Sequence, residues 1–260
     1  MSRLFPAFCL TAALALTQLD GQPAITPPQL GWVRDANSGL RPVTGIAANF
    51  IVGDCVTDGV ISSAFSGSFG IVKTDASLSV LDRDGQTLFR MDADSGPALF
   101  AFSDDGAPAF VYLAQSQTLL KWNPDRLEPA LFNLDSLDLP NNPVQAIASP
   151  SQDRAAIVVK RPDGLWLVDL DLGTQTLLPG IEGPVLLRND GSLLYAGPQG
   201  LMLRQADRSE QPFEGSIAVA TFELMSQDWV HITERDSSRH FAIRLESGRE
   251  QLYQLPEAQP

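Results

Sequence analysis

Cysteine is nearly absent from this 260-residue chain: Cys9 sits in an N-terminal apolar run, and without that run Cys55 stands alone. One thiol cannot form an internal disulfide, so packing must hold the fold together. No histidine lies near Cys55 to make it a nucleophile, and it is expected to be a small, half-buried hydrophobe in a loop. Histidine is as scarce, with only His231 and His240, nine positions apart on the second and third predicted strands of the last unit. A metal pair there would need a third ligand, for which Glu234 and Asp236 are nearest, and zinc-type ligand spacing is missing. Both histidines read as strand residues with a solvated edge, and no metal or cofactor is expected.

Basic residues are also in deficit. With 18 Lys plus Arg against 31 Asp plus Glu, the net charge of -13 repels phosphate backbones and anionic headgroups, and the cations are scattered among acids. Nucleic acid is therefore not an expected partner. No apolar run reaches the roughly 20 residues of a spanning helix. The run from Leu4 to Leu16, preceded by Arg3 and followed by small and polar residues, is shorter and has the layout of a secretory signal peptide. The expected division is a signal peptide over 1–22, a Pro-rich lead-in over 23–29, one domain over 30–256 and a tail over 257–260. Export to the periplasm or the extracellular space follows, with no transmembrane span once the signal is removed, as a monomer.

What the chain does have is repetition. Six phrases share one pattern, an alternating apolar strand, a turn rich in Asp, Gly or Arg, and a second apolar strand; they cover 30–46, 77–92, 119–135, 165–181, 201–217 and 241–256. Aligned on one inward position they give Trp32, Val80, Trp122, Leu167, Leu203 and Ile243, in steps of 48, 42, 45, 36 and 40 residues. A period near forty built only of strands predicts a propeller-type array. Before five of the phrases lies a further pair of strands, whose innermost members are VISSAFS (60–66), PALFAFS (97–103), VQAIASP (144–150), GPVLLRN (183–189) and IAVATFE (217–223). The expected fold is all-β, a β-propeller of about six blade positions with five complete four-stranded units and an incomplete N-terminal unit. In that first unit the phrase at 30–46 is expected to supply the outer two strands, and 47–59 a connection with a short strand at Asn49 to Val52.

The turns resemble a known pattern. SDDGAPAFVYL (103–113) and SPSQDRAAIVV (149–159) match the first half, and GLWLVDLDLGTQTLL (164–178) the second half, of WD40-like propeller repeats of the TolB type. The resemblance implies a scaffold over residues 30–256; RNDGS (188–192) and LMSQD (224–228) depart from it.

The repeat also accounts for residues that look like chemistry. Asp and Gly in turns accept positive φ or bond their own backbone. MDADSG (91–96) and LDLDLG (168–173) alternate acids, with Asp92 and Asp94 the best calcium candidates, yet neither continues as a calcium loop with a distal Glu. No G-x-S-x-G elbow precedes a helix, and Ser66 repeats the turn role of Ser103 and Ser149. A propeller hydrolase would need two central carboxyls about 5 to 9.5 Å apart, whereas the innermost strands hold one acid, Glu223. The one insertion in the repeat, 132–144, joins an outer strand to the next inner strand and should overhang the channel mouth, where Asp135, Asp138, Asn141 and Asn142 would form a polar rim. The expected role is a non-catalytic binding or protein-interaction module that meets a protein or another cell-envelope component. The competing reading is a degenerate propeller hydrolase or lyase acting on carbohydrate or peptide, and a third lets the open edge of the first unit accept a partner strand.

Overall fold

The structure is a computed structural model that describes residues 27–257 except 124–125, 133, 135–136, 138–142, 152, 216, 236, 238 and 247. The described strands form six antiparallel sheets. The first contains β1 (Gln29–Arg34), β2 (Leu40–Ile46) and β3 (Asn49–Val52). The second runs β4 (Val60–Phe65), β5 (Phe69–Thr74), β6 (Ser77–Asp82), β7 (Thr87–Asp92), and the third β8 (Ala98–Phe102), β9 (Pro108–Leu113), β10 (Thr118–Asn123), β11 (Arg126–Pro129). The fourth is β12 (Val144–Ser151), β13 (Arg154–Arg161), β14 (Gly164–Asp169), β15 (Gln175–Leu178). The fifth is β16 (Val185–Leu187), β17 (Leu193–Gly197), β18 (Gly200–Arg204), β19 (Glu210–Pro212), and the sixth β20 (Val219–Ser226), β21 (Trp229–Glu234), β22 (His240–Arg244), β23 (Gln251–Gln254).

Each sheet pairs its strands in sequence order, as hairpins joined by short turns dictate. The turns are closed by the acids that the repeat marked as punctuation. Asp82 Oδ1 accepts from the N–H groups of Asp84 and Gln86, Asp169 Oδ1 from Asp171 and Leu172, and Asp190 and Asp207 from Ser192 and Ser209. Ser66 Oγ likewise accepts from Ser68 and Phe69 N–H.

A sheet with apolar residues on both faces must be covered on both. Here six apolar clusters fill the six gaps between neighbouring sheets. Val80 and Phe100 belong to the gap between the second and third sheets, Phe110 and Ile157 to the next, then Val158 and Tyr195, then Leu203 and Ile243. Phe50 and Trp229 join the sixth sheet to the first, and Trp32 and Phe65 join the first to the second, which closes the ring. The result is a six-bladed β-propeller whose innermost strands surround a central channel.

The first sheet departs from the sequence expectation. The other aligned positions, Val80, Trp122, Leu167, Leu203 and Ile243, all lie on third strands, but Trp32 is on β1, which packs directly against β4 and β20. The phrase at 30–46 therefore occupies the first two strands of its sheet, not the outer two. Its direction is also reversed: Gly31 meets Met225 while Arg34 meets Glu223, so β1 runs antiparallel to β20. The close approach needs glycine, because a Cβ on Gly31 would lie 2.1 Å from the Met225 carbonyl oxygen. Alternation in sequence reports which residues are covered, and it does not report which strand of a blade carries them. β3 spans Asn49–Val52, the short strand expected there.

Cys55 is exposed, not half-buried. It lies in the connection after β3, where its thiol contacts Asp58 Oδ1 at 3.1 Å and the Thr57 carbonyl at 3.5 Å; hydrogen bonding to Asp58 pushes its pKa up and makes it a poor nucleophile. Among the described residues no helix is long and apolar enough to cross a membrane.

Candidate functional site

Every blade delivers side chains into the channel from the strand nearest the axis, β1 running opposite to the others, so the channel is where residues distant in sequence converge. Two cavities occupy it, and both are walled by Phe100, Ile147 and Leu224, which stand between them. The two ends differ in chemistry.

At the far end, where the inner strands finish, the cavity measures about 190 Å³ and is laced by hydrogen bonds between blades. Asn189 Nδ2 donates to the Phe102 carbonyl at 2.8 Å and to Asp104 Oδ1 at 3.1 Å, while its Oδ1 accepts from Ser149 N–H at 3.0 Å. One amide thus joins the third, fourth and fifth sheets. In RNDGS the serine position of the S-x-D-G turn is taken by Arg188, and Asn189 stands at the variable position, as Asp104 does in SDDG. Ser66 Oγ also bonds the Gly106 carbonyl across the second and third sheets.

At the near end, where the inner strands begin, a cavity of about 230 Å³ is lined by serine, alanine and apolar side chains together with Gln145, Thr221, Arg34 and Glu223. Among the described residues Glu223 is the only acid lining it. Its Oε1 accepts from Arg34 Nε at 3.0 Å, and Arg34 Nη2 is 2.9 Å away. Two partners 189 residues apart meet because β1 lies against β20. Glu223 Oε2 and Thr221 Oγ1 are both buried without a hydrogen-bond partner.

Behind Glu223 lies the histidine pair. His231 is 1% exposed, which corrects the expectation of a solvated edge, and its Nδ1 is 3.5 Å from Glu223 Oε2. Its Nε2 is 2.8 Å from His240 Nδ1. The two rings are nearly coplanar, 6° apart with centroids separated by 5.0 Å, the arrangement of rings joined edge to edge by one N–H···N bond. If His231 Nδ1–H faces the carboxylate, its Nε2 accepts and His240 Nδ1 donates. Burial, and then the neighbouring His231, push the His240 pKa down to about 4. Nearby, burial pushes the Asp35 carboxyl up, but Arg41 and the N–H groups of Gly39 and Asn37 bring it net below its ordinary value.

The other sequence candidates resolve separately. Asp135, Asp138, Asn141 and Asn142 lie outside the described residues; of the described residues in that insertion, Leu137 is buried, and Phe132 and Leu134 pack against the core between the third and fourth sheets. Glu234 is bound by Ser237 and Arg239, which hold its carboxyl below the ordinary range, and Asp236 is outside the described residues. Among the described residues no group of three His, Cys, Asp or Glu is placed to hold a metal. Asp169 of the alternating LDLDLG is occupied by Arg154 and its own turn. Sequence reasoning singled out Glu223 as the lone inner acid but missed its pairing with Arg34. It also missed Lys73, a fully buried lysine whose Nζ donates to the Thr74 and Asp75 carbonyls and whose pKa burial pushes down.

No family model and no curated protein matches the chain. Solved structures do. A protein of unknown function from Bacteroides caccae matches with a TM-score of 0.53 at 12% identity, over 88% of this chain and 94% of its own. The chain is a six-bladed β-propeller. PorZ, a surface component of the type-IX secretion system of Porphyromonas gingivalis, matches with a TM-score of 0.52 at 11% identity, over 90% of this chain but 39% of PorZ. The WD40 repeats of RRP9 match with a TM-score of 0.46 at 13% identity, over 88% of this chain and 68% of theirs. Identities this low speak to the fold alone.

Proposed function

We propose that this propeller is exported and acts as a non-catalytic binding or protein-interaction module of the cell envelope or extracellular space. The observation that carries this reading is the lining of the near cavity, which among the described residues is mostly Ser, Ala and apolar groups, with Gln145 and Thr221, around a single acid already bound by Arg34. Hydrolysis of carbohydrate at such a centre calls for two carboxyls about 5 to 9.5 Å apart. Export rests on the charged, apolar and small-residue order of 1–22. In the same reading the three-stranded first sheet is a blade without its innermost strand, since β1 runs opposite to β20 and so has the direction of a second strand. The near mouth, at Gln145, is the face that meets the partner.

A photo-crosslinking residue at Gln145 tests this in cells. Covalent adducts are expected from position 145 and not from Leu177, an exposed position on the outer strand β15. Adducts from Leu177 alone, or from neither position, would contradict the assignment.

A further inference from the structure

We propose that the joint between the first and sixth sheets is an acid-sensitive latch, in which proton uptake by the histidine pair favours release of the first sheet from β20. This goes beyond the binding reading, because it concerns how the ring closes and not what the near mouth meets.

The joint differs from the other five in that no connection of the chain crosses it, since the first and last sheets meet there. Among the described residues non-covalent contacts alone hold it. Toward the far end these are apolar, with Met225, Trp229 and Phe50 in one cluster. Toward the near mouth they are ionisable. Glu223 and His231 stand opposite each other on β20 and β21, and His240 shares its face of β22 with Ala242, which packs with Val33 and Val43 of the first sheet. From the first sheet Arg34 reaches Glu223, and Arg41 and Asp35 form the next ion pair.

These charges balance in pairs, so a further proton adds a cation that no carboxylate is left to match. With His231 Nδ1–H facing Glu223, its Nε2 accepts from His240 Nδ1, and His240 Nε2 is the ring nitrogen of the pair that remains to bind the proton. Burial, then His231, and also Arg34 oppose that proton; Asp35 and Glu223 favour it, and the balance holds His240 at about 4 instead of 6.5. When the first sheet moves off, water reaches His240 and its ordinary proton affinity returns. Between pH 6.5 and pH 4 the proton therefore favours the open joint. Opening carries Arg34 away from the near cavity and bares the side of β20 that β1 covers.

The test is native-state amide exchange of the full chain in low urea, corrected for the intrinsic effect of pH. An opening of the first sheet alone exposes little surface and depends weakly on urea, whereas unfolding of the whole ring depends steeply on it. The amides of Trp32, Val33, Leu40 and Val43 are expected to exchange by a route of weak urea dependence that becomes several-fold more frequent from pH 7 to pH 5, with about 20-fold as the limit set by the His240 shift. Amides of β12 and β13, across the ring, should exchange only by the steep route. In His240→Asn the gain in the weak route should vanish, with His240→Gln as the second variant should the first not fold. First-sheet amides that follow the steep route of β12 and β13 at pH 5, a weak route no more frequent at pH 5 than at pH 7, or a gain that persists in either variant would overturn the proposal. The first two outcomes are read on the wild type and need no variant.

Discussion

Phe65→Ala is expected to lower the stability of the propeller by about 3–5 kcal/mol, the range for removing a buried aromatic side chain. Phe65 is 2% exposed and stacks on Trp32, with ring centroids 5.7 Å apart and planes at 22°. It also lies flat on Gly70, where a Cβ would fall 2.1 Å from a ring carbon. The ring walls both the far channel cavity and a second cavity of about 310 Å³ beside the first sheet, so its loss should merge the two instead of letting the site collapse. Gly70→Ala should cost about 1–3 kcal/mol by overpacking, and only while the ring is present. In a double-mutant cycle by urea unfolding, the alanine penalty should largely vanish in the Phe65→Ala background. Additive effects would mean that the ring does not rest on Gly70.

The second large effect is pH-dependent. His240 falls from an ordinary 6.5 to about 4 in the folded protein, through burial and then through His231. Between these values the unfolded chain binds a proton that the folded chain does not, so stability falls as pH drops through this window and levels off below it. The shift corresponds to at most about 3 kcal/mol, reduced by whatever solvent reaches the half-buried ring. Around it stand Asp35 and Glu223, which favour the proton, and Arg34, which opposes it. His240→Asn, which retains a donor for His231 Nε2, is expected to flatten the stability profile between pH 6.5 and pH 4 relative to the wild type. Parallel profiles for the two proteins would show that His240 titrates normally.

Most of the scaffold was legible in the sequence because its signals are local. Alternation marks a strand within six residues, and Asp82, Asp169, Asp190 and Asp207 close turns by bonding N–H groups two to four residues ahead. Inner strands such as VISSAFS and PALFAFS were readable from the same alternation and from the turns behind them. The first sheet was misread because burial on two sides looks alike on any strand. Trp32, Leu40 and Val43 are covered by the second and sixth sheets, a fact about blades nearly the whole chain apart. The site was less legible for the same reason. Glu223 stood out as an acid on an inner strand, but nothing near it in sequence announces Arg34, and nothing in the nine-residue spacing of His231 and His240 reveals that their rings meet edge to edge. RNDGS was visible as a departure, while the reach of its Asn189 amide to two other blades exists only in the ring.

Everything at the near mouth depends on the first sheet being part of the ring, because β1 brings Arg34 to Glu223. Native-state amide exchange measures this directly. If β1 is wedged between β4 and β20, the amides of Trp32 and Val33 and those of Leu40 and Val43 on β2 should exchange with protection close to that of β4 and β20. If residues 29–46 exchange orders of magnitude faster than β4 and β20, like a detachable hairpin, the first sheet does not close the ring and the Arg34–Glu223 site does not exist as described.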